Sequence, residues 1–130
     1  MMWEKFLGFA CNATVASLTR SRAGVIARTM DGAPFVAAVI GECAKVVTAL
    51  GYPPLPAFNT AGIITGVFSQ PDSTYGPSLL IDMEEGPPTE GEHTVGDLAE
   101  RAAKAGVGAP LLTAARCNLQ AYEINRSNPK

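Results

Sequence analysis

The sequence predicts an all-α fold, a single bundle of about six or seven helices. Apolar residues recur at helical spacing along most of the 130 residues, and clusters of proline and glycine divide the chain into segments of helix length. Hydrophobic residues make up 47% of the chain and charged residues 17%, which is enough apolar material for one modest core. Residues 1–130 are therefore predicted to form a single helical domain.

The first helix is predicted to run from about residue 2 to 18, because apolar residues such as Trp3 and Phe6 recur at helical spacing. Lys5 is the only cation of this segment. On a helix that turns about 100° per residue, Phe9 and Asn12 lie within roughly 40° of Lys5, and we call these three residues the Lys5 face. Such a face can donate hydrogen bonds to a ligand, although a lysine that snorkels from the end of a core helix has the same pattern.

Two helices are predicted between the first helix and a proline-rich connector. A short helix covers residues 21–27, and a longer one starts at Asp31, has Pro34 in its first turn and ends at Gly51. After the connector, residues 57–68 are ambiguous, since their isoleucines and valine suit a strand whereas their length and helical neighbours favour a helix.

Three more helices are predicted in the second half of the chain. A short helix over residues 78–85 is framed by two loops, and Thr94 and Asp97 have the spacing of a capping box that opens the next helix. Pro110 stands at the first position of the last helix, which ends near residue 126. Ten apolar residues are predicted to share one core: Val36, Val39, Ile40, Val46, Val47, Leu50, Leu98, Leu111, Leu112 and Leu119.

The charge of the chain argues against several classes of partner. A formal charge of -2 and a pI near 5.3 predict no general affinity for nucleic acid or acidic membranes. Arg20, Arg22 and Arg28 form a small basic cluster that we interpret as a solvated corner. No stretch approaches the roughly 20 apolar residues that span a bilayer. The amino terminus is a poor signal peptide, because Glu4 cancels the charge of Lys5.

The three cysteines indicate the redox environment. Cys11, Cys43 and Cys117 are far apart in the sequence, odd in number and without the spacing of metal ligands. This pattern predicts reduced thiols in the core of a cytoplasmic protein and no metal site.

Three sequence blocks resemble a known family. They are Trp3-x-Lys5 on the opening helix, then Pro77-Ser78-Leu79-Leu80-x-Asp82-x-Glu84-x-Gly86-x-Pro88-Thr89-Glu90, and then Ala105-Gly106-Val107-Gly108-Ala109-Pro110 after an alanine-rich helix. With these blocks in this order, nearly the whole chain resembles the C-terminal domain of ketopantoate reductase.

The resemblance implies a helical substrate domain that packs against a Rossmann domain holding NADPH, in an enzyme of pantothenate biosynthesis. In that family the helix lysine protonates the ketone oxygen of a 2-keto acid, ketopantoate, while the nicotinamide supplies hydride. Lys5 falls on this catalytic position, Ser78 matches the serine that binds the substrate, and Glu90 matches the acid on the cofactor side of the cleft. The resemblance therefore implies that Lys5, Ser78 and Glu90 converge on one concavity.

The chain departs from the family pattern on the first helix. Family members commonly carry asparagines four and eight residues after the lysine, whereas Phe9 and Ala13 stand there in this sequence. Asn12 is the candidate replacement as a substrate-binding residue, and Val95 stands where another asparagine is common. A pocket with fewer amides and an added phenyl ring is expected to prefer another 2-keto acid or to have lost its substrate.

The 130 residues contain no strand-turn-helix unit that could bind a dinucleotide. We expect the chain to lack its own cofactor domain and to be inactive with NADPH by itself. Three interpretations stay open: a fragment of a reductase, a short protein that works with a separate Rossmann-domain chain, or a non-catalytic helical interaction and dimerisation module. A homodimer through the apolar residues Trp3, Phe6 and Phe9 is expected, because the missing domain would leave them bare.

Overall fold

The computed structural model describes residues 2–51, 66, 68–89 and 91–127, of which residues 2–7, 78, 92 and 127 are described by their backbone alone. Six α-helices and one π-helical turn form the regular structure of these residues, and no strand occurs among them. The predicted all-α fold is confirmed. The question of strand or helix at residues 57–68 lies outside the described residues, apart from residues 66 and 68.

The helix bounds follow the predicted ones within about two residues at each end, except at the start of the helix predicted to open at Thr94. A π-helical turn, Glu92–Gly96, leads without a break into the fifth α-helix. The helices are α1 (Met2–Thr19), α2 (Ala23–Ala27), α3 (Gly32–Ala49), α4 (Ser78–Glu85), α5 (Asp97–Lys104) and α6 (Pro110–Ser127).

Helix α1 is the centre of the bundle, because it packs against α3, α4, α6 and the π-helical turn. Its buried face consists mostly of alanine, cysteine and valine, whose small side chains let the neighbouring helices approach closely. Two polar side chains on this face, Thr14 and Ser17, are fully buried and donate hydrogen bonds to Ala10 O at 2.7 Å and Thr14 O at 3.2 Å. Their polar groups are therefore satisfied within α1 itself.

The predicted core is confirmed. All ten predicted residues belong to one hydrophobic cluster, in which Ile40, Leu50 and Leu111 are partly buried and the others are buried. A carboxylate ties two of the packed helices together, since Glu42 of α3 accepts the backbone N–H groups of Leu111 at 3.2 Å and Leu112 at 2.7 Å. Glu42 therefore caps the amino-terminal end of α6.

The predicted capping box of Thr94 and Asp97 is wrong. The helical backbone already begins at Gly91, so that the Thr94 hydroxyl donates to Gly91 O at 3.4 Å and Asp97 accepts Arg101 Nε at 3.2 Å. A Cβ atom at Gly91 would lie 2.7 Å from Leu119 Cδ1. Packing of this glycine on α6 thus sets the start of the helix, overriding the local capping signal.

The prediction of three core thiols is wrong for one of them. Cys11 and Cys43 are buried, whereas Cys117 is exposed on α6. A hydrogen bond with Cys11 and burial raise the pKa of the Cys43 thiol well above its ordinary value. Cys43 is therefore held as the neutral thiol between α1 and α3.

One described helix, α3, is long and apolar enough, by length and composition, to cross a membrane. The core helix of a soluble protein meets the same criterion, and six residues of α3 are buried in the described fold. The absence of a membrane span and the cytoplasmic location remain predictions.

The three arginines interpreted as a solvated corner lie at the surface, where they also connect distant parts of the chain. Arg22 Nη2 lies 2.7 Å from Glu84 Oε1, and Arg28 donates to the Pro71 carbonyl. The Cζ atom of Arg20 lies 5.8 Å from the centroid of the Tyr122 ring, a cation–π contact. The Arg22–Glu84 pair is more than a third exposed on both sides, so it contributes only about 0–1 kcal/mol.

Candidate functional site

Helix α1 carries the two polar residues of the Lys5 face. Lys5 lies in the first turns of α1, where its backbone is helical, and Asn12 follows about two turns later on the same side. Asn12 is partly buried, and its Oδ1 atom is buried without accepting a hydrogen bond from any described residue. Leaving such an acceptor unpaired costs about 1–3 kcal/mol, so Asn12 Oδ1 is an acceptor that the described residues leave unsatisfied.

The described surface around Gly8 and Phe9, about one turn before Asn12 on α1, is open. The Phe9 side chain is 61% exposed, although phenylalanine is usually buried. A Cβ atom built on Gly8 would meet no described heavy atom within 4 Å. Among the described residues, none fills the space next to Gly8 and Phe9 on this side of α1.

Ser78 is the first residue of α4, and the loop before it is bound to the start of α2. Two N–H groups at the start of α2 donate to that loop, Ala23 N to Tyr75 O at 2.9 Å and Gly24 N to Ser73 O at 2.9 Å. A Cβ atom at Gly24 would lie 2.4 Å from Ser73 O, so only glycine permits this approach. Helix α4 then packs against α1, the helix that carries Lys5.

The carboxy-terminal helix holds the loop that leads towards Glu90. The Tyr122 hydroxyl lies 2.9 Å from Asp82 O and 2.7 Å from Pro87 O and shares its proton between them. Arg126 Nε donates to Gly86 O at 2.9 Å. Burial, followed by the charge of neighbouring Glu123, raises the pKa of Tyr122, which keeps its hydroxyl protonated as a donor.

Glu123 continues this set of contacts. One of its oxygens, Oε2, accepts both the backbone N–H of Thr89 at 2.8 Å and the Thr89 hydroxyl at 2.9 Å. Together, Tyr122, Glu123 and Arg126 form what we call the α6 clamp. Glu90 itself lies outside the described residues, but the clamp fixes the residue directly before it.

The elements that carry the predicted site residues pack together. Helix α1 contacts both α4, which begins at Ser78, and the π-helical turn, which begins two residues after Glu90. The side chains of Lys5 and Ser78 and all of Glu90 lie outside the described residues. Convergence of Lys5, Ser78 and Glu90 on one concavity therefore remains a prediction. Among the described residues, no group of three potential metal ligands occurs.

Sequence reasoning missed the α6 clamp. Helical periodicity marks Tyr122 as an apolar position of the last helix, and Glu123 reads as an ordinary surface acid. Their partners lie 34 to 40 residues away in the sequence, so no local pattern identifies those partners. The one available signal is the pair Glu123 and Arg126 near the end of a helix with few charges.

Comparison with known proteins agrees with this architecture. Residues 1–123 match the family model described as the C-terminal domain of ketopantoate reductase PanE/ApbA. The uncharacterized oxidoreductase YkpB of Bacillus subtilis (strain 168) is 33% identical over 125 residues, which cover 96% of this chain and 41% of that protein. The chain thus spans less than half the length of this relative.

Solved structures share the fold at low sequence identity. A dimeric ketopantoate reductase from Staphylococcus aureus matches with a TM-score of 0.81 at 20% identity, covering 95% of this chain and 43% of that one. The PanE/ApbA family ketopantoate reductase of Ralstonia eutropha JMP134 gives 0.81 at 19% identity, with 97% and 41% coverage. D-mandelate dehydrogenase, solved with NADH and anilino(oxo)acetate, gives 0.76 at 19% identity, with 96% and 52% coverage. This chain therefore belongs to the ketopantoate reductase PanE/ApbA family of oxidoreductases and corresponds to its C-terminal domain.

Proposed function

We propose that this chain is the substrate-binding and proton-donating domain of an NADPH-dependent reductase of 2-keto acids, with ketopantoate as the first candidate substrate. The observation that supports this most is Asn12 Oδ1, which is buried on the same side of α1 as Lys5 and accepts no hydrogen bond from a described residue. Among proteins of the same fold are two ketopantoate reductases and a dehydrogenase solved with an oxoacetate. The single helical domain over residues 1–130 is part of this proposal.

In the proposed reaction Lys5 holds a proton on Nζ and donates it to the ketone oxygen of the substrate, and its charge stabilises the developing alkoxide. Asn12 Oδ1 accepts a hydrogen bond from a hydroxyl of the substrate, and Ser78 donates one to the keto acid. Glu90 stands on the cofactor side. A nicotinamide cofactor, when bound, supplies the hydride.

The described residues contain no unit that holds a dinucleotide. They form helices only, whereas a dinucleotide is held at the end of a strand in a strand-turn-helix unit. The proposal therefore assigns NADPH to residues outside these 130, in the same chain or in a separate Rossmann-domain chain. Proton donation by a positioned lysine accounts for about 10²–10⁴-fold in rate, and without a bound hydride donor it produces no reduction.

Binding of ketopantoate to the full chain tests the proposal directly. We expect saturable changes in the amide resonances of Asn12 and of the start of α4 when ketopantoate is titrated into isotope-labelled protein. Lys5→Ala should abolish these changes, whereas Lys45→Ala, at an exposed position of α3, should leave them intact. Equal binding by both variants, or none by the wild type, would refute the assignment.

A second candidate function is a non-catalytic module that forms homodimers. The exposed Phe9 ring favours it, and one of the structures of the same fold is a dimeric enzyme. Light scattering at micromolar concentration should detect a dimer that Phe9→Asn dissociates and that Met30→Gln, at a residue 93% exposed elsewhere, does not. A monomeric wild type would eliminate this candidate, and co-purification with a chain carrying Gly-x-Gly-x-x-Gly would support a separate cofactor chain.

A further inference from the structure

Glu123 is connected to both neighbours of Glu90. Its Oε2 atom accepts two hydrogen bonds from Thr89, at 2.8 and 2.9 Å, and the Thr89 hydroxyl oxygen in turn accepts the Gly91 N–H at 3.3 Å. The residue before Glu90 and the residue after it are therefore linked through one carboxylate oxygen of α6. Hydrogen bonds to an ionised acceptor are roughly twice as strong as neutral ones. The Glu123 carboxylate is therefore well suited to fix the position of the Thr89 backbone.

Packing reinforces the same connection. Gly91 is buried, and a Cβ atom there would lie 2.7 Å from Leu119 Cδ1, so its backbone rests directly on α6. On the other side, Tyr122 and Arg126 bind the carbonyl groups of Pro87 and Gly86. Helix α6 thus contacts the chain on both sides of Glu90.

We propose that Glu123 is a positioning residue, which acts through Thr89 to hold the backbone on both sides of Glu90, the acid of the proposed site. This inference rests on the proposed function, in which Glu90 belongs to the site. Glu123 needs no contact with substrate for this role. Displacement of a catalytic group by about 1 Å can cost 10²-fold in rate, so anchoring both neighbours of a site residue has a direct chemical consequence.

A purely structural role for Glu123 makes a different prediction. If Glu123 only stabilised the domain, its removal would accelerate amide exchange throughout the core in the same proportion. If it positions Glu90, the effect is local, because the clamp restrains one loop and α6 retains its other contacts. Exchange at Gly91 compared with exchange at Val39, a fully buried residue of α3, separates the two roles.

The first experiment measures this exchange in the full chain. In Glu123→Ala we expect the Gly91 amide to exchange about tenfold faster relative to Val39 than in the wild type, because two hydrogen bonds to Thr89 are lost. Glu123→Gln keeps an acceptor oxygen and should restore most of the protection. Asn125→Ala, at an exposed position of the same helix, is the matched control and should change neither rate.

The second experiment follows the side-chain carboxyl of Glu90 by carbon NMR during a pH titration. Thr89→Val removes the bridging hydroxyl and Thr89→Ser keeps it, and neither changes the net charge. If Thr89 transmits the hold of Glu123 to Glu90, Thr89→Val should move the titration midpoint of Glu90 away from its wild-type value, whereas Thr89→Ser should leave it in place.

The outcomes separate this proposal from the proposed function. Absence of ketopantoate binding refutes the site and leaves the exchange comparison to decide whether Glu123 holds the loop. Unchanged relative exchange at Gly91 in Glu123→Ala, or equal midpoints in Thr89→Val and Thr89→Ser in a protein that binds ketopantoate, overturns the positioning role of Glu123.

Discussion

Removal of one hydroxyl from the α6 clamp is predicted to lower the stability of the domain. In Tyr122→Phe the buried ring keeps its packing, including the Arg20 guanidinium 5.8 Å from its centroid, but two carbonyl groups lose a donor. Asp82 O still accepts the Gly86 N–H at 2.8 Å, so the loss falls mainly on Pro87 O. One hydrogen bond removed from a partly buried setting lowers the free energy of unfolding by about 1–2 kcal/mol. For a domain of this size we expect a fall in Tm of about 4–8 °C.

The effect of Tyr122→Phe should also depend on pH in the alkaline range. Burial raises the folded-state pKa of Tyr122 above its unfolded value near 10, so the folded state holds the proton more tightly than the unfolded state. The stability that this group contributes is complete below pH 10 or so and is lost as pH rises through the folded-state pKa. Phenylalanine does not titrate, so the stability difference between wild type and variant should shrink above about pH 10.

Urea unfolding followed by far-ultraviolet circular dichroism, at neutral and at alkaline pH, measures both effects. The raised pKa of the Cys43 thiol affects wild type and variant alike and cancels in the difference. Tyr75→Phe is the matched control, because the Tyr75 side chain is 40% exposed and lies outside the clamp; at neutral pH it should change stability by less than about 0.5 kcal/mol. Equal stability of Tyr122→Phe and wild type at neutral pH, or a difference that grows with pH, would refute the reasoning.

Three further predictions concern contacts between distant segments. Glu42→Ala should lower the free energy of unfolding by about 1–3 kcal/mol by uncapping α6, and Glu42→Gln by less, both measured by urea unfolding. Gly91→Ala should cost about 1–3 kcal/mol, because its Cβ would lie 2.7 Å from Leu119 Cδ1; a double variant with Leu119→Ala that shows purely additive losses would argue against this contact. Arg22→Ala should cost no more than about 1 kcal/mol, with a cost that falls at high salt; a larger, salt-independent loss would mean that Glu84 is not its main partner.

Local sequence signals were sufficient to predict the ends of helices that begin at a proline or stop before a glycine. Helix α6 starts at Pro110 and α4 ends before Gly86, which has a φ of 104°, because these residues favour or permit one backbone conformation whatever surrounds them. Helical period likewise predicted the core. The same helical period places Cys117 about 200° around α6 from buried Ala115, and Cys117 is exposed. The prediction that Cys117 lies in the core was therefore an error in reading the helical pattern.

For the candidate site, the sequence by itself determined the chemistry of one helix face. Lys5 and Asn12 lie on one side of α1 because seven residues make about two helical turns, and the family resemblance, which the comparisons confirm, gave both a role to test. That Asn12 Oδ1 is buried without a partner among the described residues is visible only after folding, since burial depends on what packs around α1.

Only the tertiary structure decided which charged side chains hold the site elements. Glu123 and Thr89 are 34 residues apart, and Arg22 and Glu84 are 62 apart, so no local pattern pairs them. The start of the helix at Gly91, in place of a capping box at Thr94, has the same origin. A local hydrogen-bond preference is worth about 1 kcal/mol, and packing of a segment against α6 through several contacts exceeds it. Sequence therefore specifies elements and faces, whereas the pairing of distant residues follows from how the faces bury one another.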